Sequence, residues 1–406
     1  MSEAVELRLR PPSDHVPPAL LWGRDVDACA AELDDPYLGA ARLHDGPDIV
    51  WGTRSGREGW IITRFADQNT VFMDHGRFSA RNNSNVQDVL GISIRNYPLD
   101  TDPPDHLHYR RVIQPYFTPR AIDRLEPLVR QVCDTLIARF EDDGGCEFVN
   151  QFSRLFPSYV FLTMMGMPLD RSDQFLEWSA GFFRGQDQDR LTALRAILDY
   201  LKDYVAERRT LPEEDDLTGA IIRGQIGGRA INEEEILGTC LNLYLGGLDT
   251  VMSSLGWYFR HLACDPALQA RLHDNPQDIP AAAEEFLRAF GITATRRQVI
   301  ADTELNGVLM RRGDNICLPT YMSSRDPRQF VDPHRIDIDR DAPHMTLATG
   351  AHNCVGQHLA RREIRVVLEA FIGRFRNIRI PKGETASWTN RQVWAVTRLP
   401  LVWDRR

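Results

Sequence analysis

The run Gly350-Ala351-His352-Asn353-Cys354-Val355-Gly356-Gln357-His358-Leu359-Ala360-Arg361 decides the reading of this 406-residue chain. It places one thiol between two glycines, just ahead of a helical pattern. Apolar residues recur at Ala360, Ile364, Val367, Leu368, Phe371 and Phe375, the spacing of one helix face. Cys354 is therefore expected at a helix N-terminus, where orphan N–H groups and the macrodipole favour an anion. Such a place lowers a thiol pKa and makes a thiolate ligand. Gly350 and Gly356 leave room for something large and flat to approach the backbone. A buried structural cysteine is the alternative.

Two distant runs add to it. Glu285-Phe286-Leu287-Arg288 puts an acid and a base three residues apart, on one side of a helix. Gly246-Gly247-Leu248-Asp249-Thr250 interrupts a long helical stretch, although a helical glycine costs about 1 kcal/mol relative to alanine. The alternatives are a solvated ion pair and close helix packing.

Taken together, the three runs resemble the signature motifs of the cytochrome P450 family, in the family's order. In the cysteine loop Gly350, His352, Cys354, Gly356, Leu359, Ala360 and Arg361 fit the pattern. Leu347 and Ala348 stand where the family usually has Phe and Gly. The resemblance implies a mainly α fold with a smaller β region (α+β), a triangular prism formed by residues 1–406 as a single domain. Heme b (iron protoporphyrin IX) would lie between a long central helix and the helix that follows the cysteine loop. Cys354 would be the axial thiolate, donating electron density that favours O–O cleavage. Glu285 and Arg288 would form a buried lock closed by Arg335. Gly246 would open a groove for dioxygen.

By the same resemblance His106 and Arg110, in the run His106-Leu107-His108-Tyr109-Arg110, grip the heme propionates together with Arg297 and His352. Anionic groups call for such cationic or hydrogen-bonding partners. Thr250 would donate a hydrogen bond to bound oxygen, and Asp249 would relay protons from solvent. A helix-interior Thr bonded back to a carbonyl and an exposed Asp are the alternatives.

Composition sets the limits. A content of 43% hydrophobic and 26% charged residues fits a soluble globular protein. No apolar run of membrane-spanning length occurs, so neither an anchor nor a secretory signal is expected. Scattered cysteines at positions 29, 133, 146, 240, 264, 317 and 354 suit a reducing cytoplasm. A net charge of −9 gives no support for nucleic-acid binding.

A coarse pass places the remaining pieces. Asp48–Trp51 and Trp60–Thr63 read as a hairpin through Ser55-Gly56. Residues 81–96 read as a polar loop. Asn232 and Glu235 form a capping-box start of a helix running to about Cys264, roughly 50 Å long. Asp332 to Pro343 reads as a meander, and Gln392 to Val396 alternates like a strand.

No segment of the chain carries a flavin, an iron–sulfur cluster or a dinucleotide fingerprint, so electrons must come from outside. Arg110, Arg111, Arg361 and Arg362 could form a basic patch that steers an acidic ferredoxin; ordinary solvated charge is the alternative. Further runs, such as Leu399-Pro400-Leu401-Val402-Trp403-Asp404, are similar to the bacterial camphor-hydroxylase subfamily. That implies a monomeric monooxygenase hydroxylating or epoxidising a small terpenoid or norisoprenoid-like molecule with O2. Its partners would be a [2Fe-2S] ferredoxin and an NADH-dependent reductase. Camphor hydroxylases carry a tyrosine before Asp102-Pro103-Pro104, where this chain aligns Ile94, with Tyr97 three residues on. Asn242, on the heme-facing stripe, is either the polar handle, with Leu245, Thr293 and Val393 as walls, or bonded to a neighbouring backbone group. A heme-thiolate sensor without turnover is the alternative; it would have no need of the Asp249–Thr250 pair.

Overall fold

The hairpin around Ser55-Gly56 forms, with both turn residues in the left-handed region (φ 51° and 75°), the combination whose twist matches paired strands. The computed structural model describes residues 14–405, except 82, 85, 87–90, 92 and 93. The polar loop expected over 81–96 therefore falls partly outside the described residues.

One six-stranded sheet is built from β1 (Leu21–Asp25), β2 (Ile49–Arg54), β3 (Arg57–Ile62), β4 (Phe78–Ser79), β5 (Ala294–Val299) and β6 (Asn315–Pro319), in the order β1-β2-β3-β6-β5-β4. Trp51 pairs with Trp60 across the hairpin, and their rings meet edge to face at 5.1 Å. A separate hairpin joins β7 (Ser387–Asn390) to β8 (Trp394–Arg398). Val393, just before β8, bridges to Thr293.

Helices make up about 52% of the structure, which bears out the mainly α expectation. Those that position the site are α1 (Asp105–Ile113), α2 (Pro119–Ile137), α3 (Phe156–Met164), α4 (Ser172–Arg184), α5 (Asp187–Arg208), α6 (Glu233–Leu248), α7 (Thr250–Leu262), α8 (Ile279–Ala289) and α9 (Gln357–Arg374). The capping box is present at α6: the Asn232 side chain accepts from the Glu235 amide, and Glu235 accepts from the Asn232 amide, each at 2.9 Å.

The long central helix is not continuous. It breaks at Asp249 (φ −112°, ψ −31°) into α6 and α7. Two glycines weaken the last turn of α6. Hydroxyls compete for its carbonyls as well, Thr250 for that of Gly246 at 2.8 Å and Ser158 for that of Leu248 at 3.4 Å. Beyond the break, α7 is locked into the core: the Trp257 indole donates to the Trp394 carbonyl at 3.1 Å, and Phe259 stacks on Phe148 at 4.3 Å.

The helix after the cysteine loop forms as its periodicity implies. Val367, Leu368 and Phe371 are buried, and the Phe371 ring lies 4.7 Å from Phe259 and 4.9 Å from Phe152. Phe375 already belongs to the following strand. Among the described residues no helix is long and apolar enough to cross a membrane.

Candidate active site

A cavity of about 290 Å³ separates α6 and α7 from the cysteine loop and α9. Asn242, Leu243, Gly246, Gly247 and Thr250 line one wall; His352, Cys354 and Gly356 line the other. A Cβ on Gly246 would meet no atom within 4 Å, so this wall is open where the sequence reading placed a groove. Gly350 is required for another reason: its φ is 71°, and a Cβ there would press on the Phe72 carbonyl at 2.9 Å.

Cys354 stands ahead of the first turn of α9, its amide donating to the Leu347 carbonyl at 2.9 Å. The thiol pKa is nonetheless raised, contrary to the expectation from the helix terminus. Burial is the largest influence, and it outweighs the Gly356 amide and the Arg110 and Arg361 guanidiniums, which pull the other way.

At one end of the cavity His352 lies against His106, ring centroids 4.3 Å apart. Burial pushes both down, His106 to about 4 and His352 to about 2, helped by nearby Arg110 and Arg297. Both imidazoles are thus neutral. Neither ring nitrogen of His106 has a hydrogen-bond partner, nor does Nε2 of His352. Arg297 is 4% exposed, and its side chain donates to the Arg296 carbonyl at 2.6 Å. Arg110 donates to the Asn353 carbonyl at 2.7 Å, just ahead of the thiol. Buried donors and charges left in this state call for an anionic partner. A thiol on the cavity floor, with two arginines and unpartnered imidazole nitrogens at its end, fits a flat cofactor with carboxylates along one edge.

On the opposite wall the Thr250 hydroxyl donates to the Gly246 carbonyl. Its proton is committed, so the expected donation to a bound molecule is replaced by lone pairs that can accept. Asp249 is 2% exposed rather than solvated. Its carboxylate accepts from Arg184 at 2.5 Å and from the Ser253 hydroxyl at 3.1 Å. Arg184, at the end of α4, was invisible to sequence reasoning because it lies 65 residues from its partner.

The lock is present with one member changed. Arg288 and Glu285 pair in a two-pronged contact, both bonds 2.7 Å, at 1% and 4% exposure. Arg335 supplies only its backbone carbonyl, at 3.3 Å. Its exposed side chain points away, and Arg340 approaches Glu285 at 3.5 Å instead.

Other expected substrate residues divide. Asn242 and Thr293 line the cavity; Leu245, Ile94, Tyr97 and Val393 are not among the described residues that do. Leu245 is buried on the other side of α6, whereas Leu243 faces in. Tyr97 stacks on Tyr109 at 4.5 Å near the start of α6. Val393 is turned into its bridge with Thr293. The expected basic patch is largely neutralised. Arg361 pairs with Glu284 at 2.5 Å, and Arg362 with Asp123 at 2.5 Å and with Glu126. Arg111 is exposed and forms no ion pair among the described residues.

The sequence profile described as Cytochrome P450 matches residues 171–401. The chain belongs to the cytochrome P450 family. Members bind heme b, and the chain is accordingly a heme-thiolate oxidoreductase of monooxygenase type. It is 32% identical to "Probable cytochrome P450 127A1" of Sinorhizobium fredii, over 98% of each chain. It is 31% identical to the mycinamicin IV hydroxylase/epoxidase of Micromonospora griseorubida, covering 86% of this P450 and 90% of the relative. Among solved structures, CYP101C1 superposes with a TM-score of 0.86 at 30% identity, over 96% of this chain and 99% of the other. CYP101J2 does so at 0.87 and 27%, over 98% and 100%. The likeness to the camphor-type subfamily is thereby shown at the level of structure.

Proposed function

We propose that this P450 oxygenates a small hydrophobic substrate that carries one oxygen function, of terpenoid or norisoprenoid type. The observation that carries the proposal is Asn242. Its amide lines the cavity two helical turns before Thr250 and makes no hydrogen bond to the described residues. Asn242 is half-buried, and its amide offers a guest in the cavity one acceptor and two donors. Leu243, Phe161 and Phe117 supply apolar walls. Few convergent polar groups in an apolar cavity of modest volume suit a compact ligand.

Heme b, when bound, supplies the activation of O2 that the family uses. The chain's own residues do the rest. Cys354 would hold the heme iron through its thiolate, and His106, His352, Arg297 and Arg110 would hold the heme carboxylates. Thr250 accepts a hydrogen bond over the cavity, and Asp249 passes protons inward as Arg184 releases it toward solvent. One oxygen atom enters the substrate and the other leaves as water, with two electrons arriving from outside. A ferredoxin with an NADH-dependent reductase is the proposed source, consistent with CYP101 structural neighbours. Arg361 and Arg362 are paired, so exposed Arg111, which forms no ion pair among the described residues, is the proposed contact for it.

The test is a spectral titration of the holoprotein with paired ligands, each terpenoid ketone or alcohol beside its parent hydrocarbon. Asn242→Leu is expected to weaken the oxygenated members several-fold, the loss of about 1 kcal/mol for one hydrogen bond. Hydrocarbons should bind as before. Equal effects on both, or selective binding of a macrolide, would overturn the substrate class.

A further inference from the structure

The two glycines ahead of the break in the central helix serve different neighbours. A Cβ on Gly246 would enter open space, whereas one on Gly247 would run into the Phe161 ring, with Cγ, Cδ1 and Cδ2 all at 2.5 Å or less. Those near-equal distances put it over the face of the ring. Gly247 is bare because that face lies against its α-carbon. Phe161 is 4% exposed and lines the catalytic cavity beside Gly247.

One turn earlier on α3, the Ser158 hydroxyl donates to the Arg154 carbonyl at 2.8 Å and reaches the Leu248 carbonyl at 3.4 Å. Positions three apart share a helix face, so one stripe of α3 meets residues 247 and 248, immediately before the break at Asp249. α3 is itself fixed at both ends. Phe156 stacks on Phe152 at 5.4 Å at its start. Past its end the Thr218 hydroxyl donates to the Met165 carbonyl at 2.7 Å, and the Tyr204 hydroxyl to that of Gly166 at 2.6 Å. A close-packed element held in this way transmits a displacement rather than absorbing it.

From Gly247 the path to the site is short. The carbonyl of Gly246, in the peptide unit that joins the two glycines, accepts the Thr250 hydroxyl at 2.8 Å. We infer that Phe161, backed by Ser158, is a positioning residue for Thr250. The ring face fixes Gly247, Gly247 fixes the Gly246 carbonyl, and that carbonyl sets which way the hydroxyl presents its lone pairs. The inference rests on the role proposed above for Thr250. It makes positions 161 and 247 complementary: a methyl added at 247 displaces the turn, and loss of the ring at 161 makes room for it.

The test is a double-mutant cycle in the holoprotein, with Gly247→Ala, Phe161→Ala and the two together. Carbon monoxide on the reduced heme reports the polar groups around it through its stretching band. Peroxide formed per NADH and the urea midpoint are read in the same preparations. Gly247→Ala should shift the band and raise peroxide several-fold, as should Phe161→Ala alone. The double variant should return both readings most of the way to wild type. Phe161→Met keeps the volume and loses the flat face; it should fold, broaden the band and raise peroxide. That variant decides the matter where the alanine proteins do not accumulate. A structural role alone would lower the urea midpoint and leave band and peroxide at their wild-type values, which overturns the inference. Effects that add in the double variant overturn it too. Thr250→Val, run in parallel, separates the two readings. If peroxide does not rise there, the role of Thr250 fails, and the stretching band alone then decides whether Phe161 places the turn.

Discussion

Arg184 holds the carboxylate of Asp249 at 2.5 Å, joining the end of α4 to the break in the central helix. The arginine is 19% exposed and the acid 2%, so the pair has one end in water and one in the protein. Swinging the arginine out would carry the carboxylate between the two environments.

Replacing Asp249 with Asn should accordingly slow turnover at least about tenfold, as loss of a positioned proton carrier does. Substrate affinity should stay within a factor of two or so. Arg184→Leu should slow turnover as well and raise the solvent isotope effect. An unchanged isotope effect in both variants would remove the pair from proton delivery.

Thr250 is expected to act as an acceptor, because its hydroxyl proton already serves the Gly246 carbonyl. Thr250→Ser should keep the yield of product per NADH, whereas Thr250→Val should divert much of the NADH to peroxide. Comparing product, peroxide and NADH in one assay checks this. Equal coupling in the serine and valine proteins would count against any role for the hydroxyl.

The changed lock makes a stability prediction. Arg335 contributes a carbonyl, so Arg335→Ala should move the urea midpoint very little, within about 0.5 kcal/mol. Arg340→Ala takes a guanidinium from the buried Glu285 and should cost more. Arg288→Ala breaks the buried pair outright, at about 3–5 kcal/mol, and should prevent accumulation of folded protein. A larger loss for Arg335→Ala than for Arg340→Ala would mean that the lock closes the other way.

Acid sensitivity should be visible at the start of α6. The hydrogen bond from Arg229 is the largest influence on Glu235, and with the Asn232 amide and the Tyr109 hydroxyl it holds the carboxyl down to about 2. A carboxyl depressed by folding adds stability above its unfolded pKa of 4.5, and that stability is lost as pH falls toward 2. Between pH 5 and 3 the urea midpoint should therefore fall more steeply in the wild type than in Glu235→Gln. Parallel slopes would show the pair to be inert.

Much of this was legible in the chain because it is local. The α9 periodicity, the Asn232–Glu235 box, the Ser55-Gly56 turn and the Glu285–Arg288 pair all depend on residues a few positions apart. What escaped depends on where side chains point after packing. Leu245 was read onto the cavity stripe that Leu243 occupies, because spacing fixes the period of a helix and leaves open its rotation against neighbours. Arg340 and Arg335 are five residues apart in an irregular meander, where no period exists to choose between them. Arg184 meets Asp249 only through tertiary packing. The thiol of Cys354 was expected to feel the helix end, and burial proved stronger.

The break at Asp249 also divides the labour of mutation. Before it, α6 presents Asn242, Leu243 and Gly246 to open space, where a change of side chain meets a guest rather than the protein. After it, α7 is wedged tight: a Cβ on Gly256 would meet Val396 at 2.9 Å, and Trp257 and Phe259 are fully packed. Randomised libraries at positions 242 and 243 should therefore yield many folded proteins with altered selectivity, and libraries at 256, 257 and 259 few folded proteins of any kind. Evolvability in this chain is confined to one side of a single residue.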